Sequence, residues 1–172
     1  MKIIKKISLC GILSAFALLS FILENLFPPL FLPGARLGIS NVFILLSAIV
    51  IGYRYGFCAL IIKSVLGSVF SGNISAIIYS LPAGLISLTI ELVLLKFTTS
   101  SLIAISVCGS MVNITVQNFA FCLVTQSFEY MSFVPYLALI GSFSGLMIGL
   151  VVLFALKRIP LSLVRENNKL ID

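Results

Sequence analysis

Long apolar runs separated by short polar segments make up most of this chain of 172 residues. Several runs reach the roughly 20 residues that a helix needs to cross a bilayer. Only 9% of the residues are charged, against about 25% in an ordinary soluble domain, so the charges could not cover a water-soluble globule. We therefore expect an all-α integral membrane protein, with no room for a soluble catalytic domain, a nucleic-acid module or an ATPase domain.

The apolar runs predict six membrane-spanning helices. The predicted spans are 7–23, 37–51, 57–70, 74–95, 102–125 and 135–156. A basic start before the first run is also typical of a secretory signal peptide, but no small-residue cleavage site follows, which favours an uncleaved span. We expect a Pro- and Gly-containing loop from Glu24 to Arg36, and a tight turn at 52–56 that places Tyr53 and Tyr55 at the interface.

The basic residues lie mainly at the ends of the runs, where they orient helices in a membrane. If the first span leads outward, nine of them are cytoplasmic, Arg36 alone is outside, and Lys63 lies within the membrane. The nine are Lys2, Lys5, Lys6, Arg54, Lys96, Lys157, Arg158, Arg165 and Lys169. This asymmetry predicts an N-in/C-in topology in the cytoplasmic (inner) membrane, with one multi-pass six-helix domain at 1–160 and a short cytoplasmic tail at 161–172.

The net charge of +6 does not indicate nucleic-acid binding, because no basic stripe with solvated surroundings exists. The cysteines are single residues inside apolar runs, and the chain contains no histidine. They are Cys10, Cys58, Cys108 and Cys122. Zinc and redox sites need clustered Cys or His ligands, so we expect four buried thiols and neither a metal site nor a cofactor.

Polar side chains inside the predicted spans are the first candidates for a site. Lys63 lies near the middle of the third span, and Asn113 and Gln117 are four residues apart in the fifth, which puts them on one helical face. A buried ionisable group normally faces a cavity or a partner, so these three residues indicate a polar cavity for a solute with an anionic group. The alternative is hydrogen bonding between helices without any ligand.

The segment 32–41 combines a proline, two glycines, Arg36 and Asn41 at the outer mouth of the second span. Irregular backbone at membrane depth is tolerated only where it lines protein or a water-filled cavity. Its free amides and Arg36 would suit an anionic or carbonyl-rich solute. The alternative is a proline-terminated loop with an interfacial arginine.

Glu91 lies about one turn before Lys96, near the predicted cytoplasmic end of the fourth span. We expect its side chain to reach the interface, where it could also contact a cytoplasmic partner.

Two stripes of small residues allow close approach of helices. Ser8, Gly11 and Ala15 share one face of the first span and could dock another membrane subunit or pack internally. Three glycines at intervals of four residues, 141, 145 and 149, favour packing within the bundle.

The segment Pro33-Gly34-Ala35-Arg36-Leu37-Gly38-Ile39-Ser40-Asn41, with Glu24 before it, resembles the signature of the Gx transporter family of bacterial membrane proteins. That family is also labelled heptaprenyl diphosphate synthase component I. The resemblance covers about residues 7–156. Weaker matches are Lys63, Ser80-Leu81, Gly84, Ser87, Ser106-Val107, Gly109, Asn113 and Gln117. The family usually has Lys at Arg36 and His at Val112, so no role of that histidine transfers to this chain.

The family is similar to the substrate-binding S components of energy-coupling factor transporters. The resemblance implies a six-helix bundle with a gating loop after the first helix, whose first-helix face docks on a transmembrane coupling subunit served by ATPases. It implies a small vitamin-like, flavin-like or isoprenoid-related solute, with Arg36, Asn41, Lys63, Asn113 and Gln117 as substrate-binding residues. Ser8, Gly11 and Ala15 would then form the partner-docking face.

Two other function classes remain open. The family label implies a component of polyprenyl diphosphate synthesis, but chain elongation binds its diphosphate through magnesium held by aspartate clusters. The single aspartate of this chain is Asp172, and one aspartate cannot assemble such a site. We therefore expect no enzyme activity and at most a non-catalytic membrane component. A purely structural membrane subunit would use the buried polar residues for stability alone.

Overall fold

The computed structural model describes residues 3–26 and 38–159, and within these ranges the chain is helical and contains no strand. Six α-helices follow one another along the chain. They are α1 (Ile3–Leu26), α2 (Asn41–Val50), α3 (Tyr53–Phe70), α4 (Ala76–Phe97), α5 (Leu102–Thr125) and α6 (Val134–Arg158). A 3-10 helix, Phe128–Phe133, precedes α6. The expected all-α fold is confirmed, whereas the predicted tail at 161–172 lies outside the described residues.

Four of the helical segments are long and apolar enough to cross a membrane, namely 3–25, 76–97, 102–125 and 128–158. The ten residues of α2 extend about 15 Å at 1.5 Å per residue, half of a hydrocarbon core of about 30 Å. The helices thus support a membrane protein, while the six-span N-in/C-in topology stays a prediction.

Two helix boundaries near the candidate site differ from the sequence prediction. α2 begins at Asn41 rather than at residue 37, after Gly38 with φ +73°. α3 begins at Tyr53, so the predicted five-residue turn at 52–56 is wrong. Gly52 has φ +133°, a conformation open mainly to glycine, which lets the chain reverse almost at one residue.

The short helix α2 lies at the centre of the bundle. It packs against α1, α3 and α6, while α3 packs on α4, α4 on α5 and α5 on α6. Seven of its ten residues are buried. A helix enclosed in this way begins inside the protein, so its first residue, Asn41, lies among the other helices rather than at a membrane surface.

Helices α5 and α6 meet with their backbones in contact. A Cβ atom at Gly145 would lie 2.6 Å from the Cα of Val107, and one at Gly149 would lie 2.8 Å from the Cα of Ile103. Neither position has space for a side chain. The prediction that the glycine stripe of the sixth helix packs within the bundle is confirmed.

The outer surface of the bundle is apolar, with large exposed side chains such as Phe16, Leu139 and Phe143. Cys10 and Cys122 are buried as expected, but the two other thiols, Cys58 and Cys108, are exposed. The expectation of four buried thiols is wrong for this pair. A lipid-facing helix is apolar on its outer face as well as its inner face, so apolar neighbours do not indicate which way a cysteine points.

Candidate functional site at the start of the central helix

Lys63 joins the middle of α3 to the start of α2. Its Nζ atom donates a hydrogen bond to Oδ1 of Asn41 over 3.2 Å and lies 5.1 Å from the ring centroid of Phe21 on α1. The side chain is 5% exposed. The ammonium group therefore lies where α1, α2 and α3 meet, in contact with an amide oxygen and an aromatic face that both attract cations.

The helix lengths place this contact near the middle of the bundle. Lys63 follows the start of α3 by ten residues, which is about 15 Å along the helix. Asn41 precedes the end of α2 by nine residues, or about 14 Å, and α2 and α3 are joined at Gly52. The contact is thus near the middle of the bundle, and the position of Lys63 within a membrane stays a prediction.

Asn113 on α5 reaches the same place from the other side. A Cβ atom at Gly38 would lie 3.0 Å from the side-chain nitrogen of Asn41 and 3.8 Å from that of Asn113. The two amides therefore flank the backbone that leads into α2. We call the residues Gly38, Asn41, Lys63 and Asn113, together with Gln117 one turn of α5 beyond Asn113, the mid-depth site.

Two backbone N–H groups at the start of α2 have hydrogen-bond acceptors nearby. The Asn41 N–H bonds to the Gly38 carbonyl at 2.8 Å, and the Ser40 N–H donates to the Glu24 carboxylate of α1 at 3.0 Å. Ser40 makes no side-chain cap. The N-terminal end of a helix carries partial positive charge, and the Glu24 carboxylate lies at this end of α2.

Gln117 follows Asn113 by one turn of α5, toward the 3-10 helix. It is 4% exposed, and its Oε1 atom has no hydrogen-bond partner among the described residues. The neighbouring Asn118 differs, because its side chain donates to the Tyr130 carbonyl at 3.2 Å and ties the 3-10 helix to α5. Asn118 therefore has a structural contact, while Gln117 buries an acceptor without one.

Three buried serines lie close in the chain to Asn41 or Lys63 and were not singled out from the sequence. The side chains of Ser40, Ser64 and Ser68 are fully buried, and their hydroxyls have no partner among the described residues. The sequence pattern that could have indicated them is the spacing of Ser64 and Ser68, which are four residues apart and follow Lys63. Serine is too common in helices for this spacing alone to predict a site.

The remaining predicted site residues are Arg36 and the three docking residues of α1. Arg36 lies outside the described residues. Ser8, Gly11 and Ala15 are all exposed on α1, and no atom of the described residues lies within 4 Å of a Cβ atom built at Gly11. These three residues do not pack inside the bundle, and their role in docking a partner stays a prediction.

Glu91 does not reach the interface as predicted. Its side chain is 7% exposed and occupies the space on α5 that Gly109 leaves open, where a Cβ atom would overlap the carboxylate. Lys96 points elsewhere, with its ammonium group 5.2 Å from the ring centroid of Phe97. The expectation of an interfacial carboxylate is wrong because the glycine opposite gives Glu91 a place to pack.

A family model described as heptaprenyl diphosphate synthase component I matches residues 13–155. The chain belongs to this family. The match includes every residue of the mid-depth site and begins after Ser8 and Gly11 of α1. No curated protein and no solved structure shows a significant match to the chain. The family label predicted from the segment 33–41 is thus confirmed, while the likeness to S components stays a prediction.

Proposed function

We propose that this member of the family is a solute-binding membrane subunit that works like the S component of an energy-coupling factor transporter. The solute would occupy the mid-depth site. The ammonium group of Lys63 lies beside the start of α2, where a negatively charged group of the solute would contact it, because half-helix ends at membrane depth serve as ion and substrate sites in other transporters. A small vitamin-like, flavin-like or isoprenoid-related anion is the class of solute that fits this proposal.

The observation that carries this proposal is the orphaned acceptor of Gln117. If the polar residues only held helices together, each buried polar atom would have a partner within the bundle. The Lys63–Asn41 hydrogen bond is such a contact and fits both interpretations. The buried Oε1 atom of Gln117 has none among the described residues, so a donor group of a solute would supply what the protein does not.

Transport in this proposal needs a partner, since S components bind the solute and a coupling subunit with ATPases supplies the energy. The exposed face of Ser8, Gly11 and Ala15 is the docking surface we propose for the coupling subunit. A surface of small side chains lets a second helix approach closely in lipid, and the open space at Gly11 is compatible with that approach.

The second candidate is a non-catalytic membrane component of heptaprenyl diphosphate synthesis, which the family description favours. In this role the chain would bind a catalytic prenyl-transferring subunit. The isoprenoid product, which has an anionic diphosphate and an apolar chain, would then be the molecule that the bundle binds.

Purification of the chain from its native membrane distinguishes the two candidates. Mass spectrometry would identify both the small molecules and the proteins retained. The transport proposal predicts a small anionic solute together with a coupling subunit and ATPases. A prenyl diphosphate retained together with a prenyl-transferring enzyme would contradict it and support the second candidate, and retention of no small molecule would contradict both.

A further inference from the structure

A second polar region lies at the end of the bundle where α1 begins and α2 turns into α3. There the structure contains a cavity of about 300 Å³, and ligand sites in proteins start at about that size. The lining residues are Lys6, Ile51, Gly52, Tyr53, Arg54 and Tyr55. The cavity shares no residue with the mid-depth site.

Two cations border this cavity, and none of its described lining residues is a carboxylate. Arg54 donates from Nε to the hydroxyl of Tyr53 over 3.2 Å, and its guanidinium carbon lies 5.7 Å from the ring centroid of the same tyrosine. These contacts use one of five guanidinium N–H groups. In the described part of the chain, neither Lys6 nor Arg54 has an acidic partner, so an anion in the cavity would relieve the repulsion between them.

The surroundings of the cavity change from polar to apolar within one turn of α1. Ile3, Ile4 and Ile7 are 72%, 77% and 60% exposed, next to the charged Lys6. Tyrosine side chains such as Tyr53 are typical of the membrane–water boundary, because the ring is apolar and the hydroxyl is polar. A ligand with an anionic group and an apolar chain would find a matching surface for both parts.

We propose that this cavity binds a phosphate group at the membrane surface. Arg54 would donate two parallel hydrogen bonds to the phosphate oxygens, as guanidinium groups do, and Lys6 would add a point charge from α1. The phosphate belongs either to an anionic phospholipid or to free inorganic phosphate. This site is independent of the solute at mid-depth and of either proposed function.

The test compares two pairs of charge removals in the purified full-length chain. Lys6→Gln with Arg54→Gln removes the cations of the cavity. Lys157→Gln with Arg158→Gln is the matched control, because it removes the same charge from exposed positions at the end of α6, on the same side of the bundle. Native mass spectrometry would measure the binding of phosphatidylglycerol added in detergent, with phosphatidylcholine as the zwitterionic lipid.

We expect the first pair of substitutions to weaken phosphatidylglycerol binding by about tenfold or more, which is the change in dissociation constant for the loss of one charge-assisted hydrogen bond. The control pair should change this binding little. Phosphatidylcholine should bind weakly to all proteins. Displacement of phosphatidylglycerol by excess inorganic phosphate would assign the pocket to free phosphate, and resistance to displacement would assign it to the lipid; either supports a phosphate pocket.

Equal losses in the two pairs would overturn the proposal, since they would indicate general attraction to the basic surface. Unchanged binding in the first pair would overturn it too. The exposed Arg54 is changed alone in a third variant, Arg54→Gln, so that a folding defect of the double variant does not decide the result. Arg54→Gln should also weaken lipid binding, and wild-type binding in this variant would remove the guanidinium from the site.

Discussion

The Nζ atom of Lys63 lies 3.2 Å from Oδ1 of Asn41 and links the middle of α3 to the first residue of α2. Because α2 is only ten residues long, this hydrogen bond fixes the point at which the chain becomes helical inside the bundle. It also holds a cation beside the positive end of the helix. Both features come from one contact between two neighbouring helices.

A double-mutant cycle measures that contact. Lys63→Met and Asn41→Leu should each lower the free energy of unfolding, because each removes one side of the Lys63–Asn41 hydrogen bond. The double variant should lose less than the sum of the two, by about 1 kcal/mol, as found for hydrogen bonds between membrane helices. Unfolding in mixed micelles, followed by circular dichroism, gives the four free energies.

Lys63→Met combined with Thr115→Val provides the control cycle, since Thr115 bonds to Met111 within α5. Additive effects are expected there. If the Lys63 and Asn41 changes were also additive, the hydrogen bond would have no part in holding α2 in place.

A second prediction contrasts two glycines. Gly145→Ala should destabilise the protein by about 1–3 kcal/mol, the usual cost of overpacking, because its new Cβ atom would lie 2.6 Å from the backbone of α5. Gly11→Ala should not destabilise it, because no atom lies within 4 Å of that position. Unfolding measurements on both variants check the contrast, and equal losses of stability would contradict the described packing of α1 and α6.

A third prediction concerns the proposed docking face. Gly11→Leu should abolish co-purification with a coupling subunit while the isolated protein stays folded and keeps its solute, since added bulk blocks close helix approach. Ala104→Leu is the control because it adds bulk to an exposed position on α5. Loss of the partner in both variants, or in neither, would rule out α1 as the specific docking surface.

The fourth prediction tests the N-in/C-in topology. Single cysteines at Asn73 and Ser100, introduced after the four native cysteines have been replaced, lie in exposed turns at opposite ends of α4. An impermeant thiol reagent should label position 73 from outside the cell and position 100 only after the membrane is opened. The reverse pattern would invert the topology, and labelling of both from outside would contradict the spanning of α4.

The sequence predicts the bounds of the long apolar helix α5 better than those of the short central helix α2. α5 begins and ends at Leu102 and Thr125, as predicted, because the polar Ser101 precedes it and its hydroxyl accepts from the Ala104 N–H. The start of α2 at Asn41 was not predicted. The preceding residues continue the apolar run, and apolar character does not distinguish helix from other buried backbone.

The candidate site was predicted in part for a similar reason. Lys63, Asn41 and Asn113 stand out as polar residues in apolar spans, and the structure brings them together. The burial of Glu91 was missed, since it depends on the space that Gly109 leaves on another helix. Contacts of that kind depend on the register between helices, which no pattern within one helix gives.

The measurement that tests the central claim most directly is solute retention by Gln117→Met. The change removes the buried acceptor that has no partner, so we expect the free energy of unfolding to stay the same or rise. Retention of the co-purifying solute should fall about tenfold, which corresponds to a loss of about 1.4 kcal/mol in binding free energy. Thr115→Val, which removes a hydroxyl bonded within α5, should retain the solute. Retention by Gln117→Met equal to that of the wild type, with both proteins folded, would contradict a solute site at mid-depth.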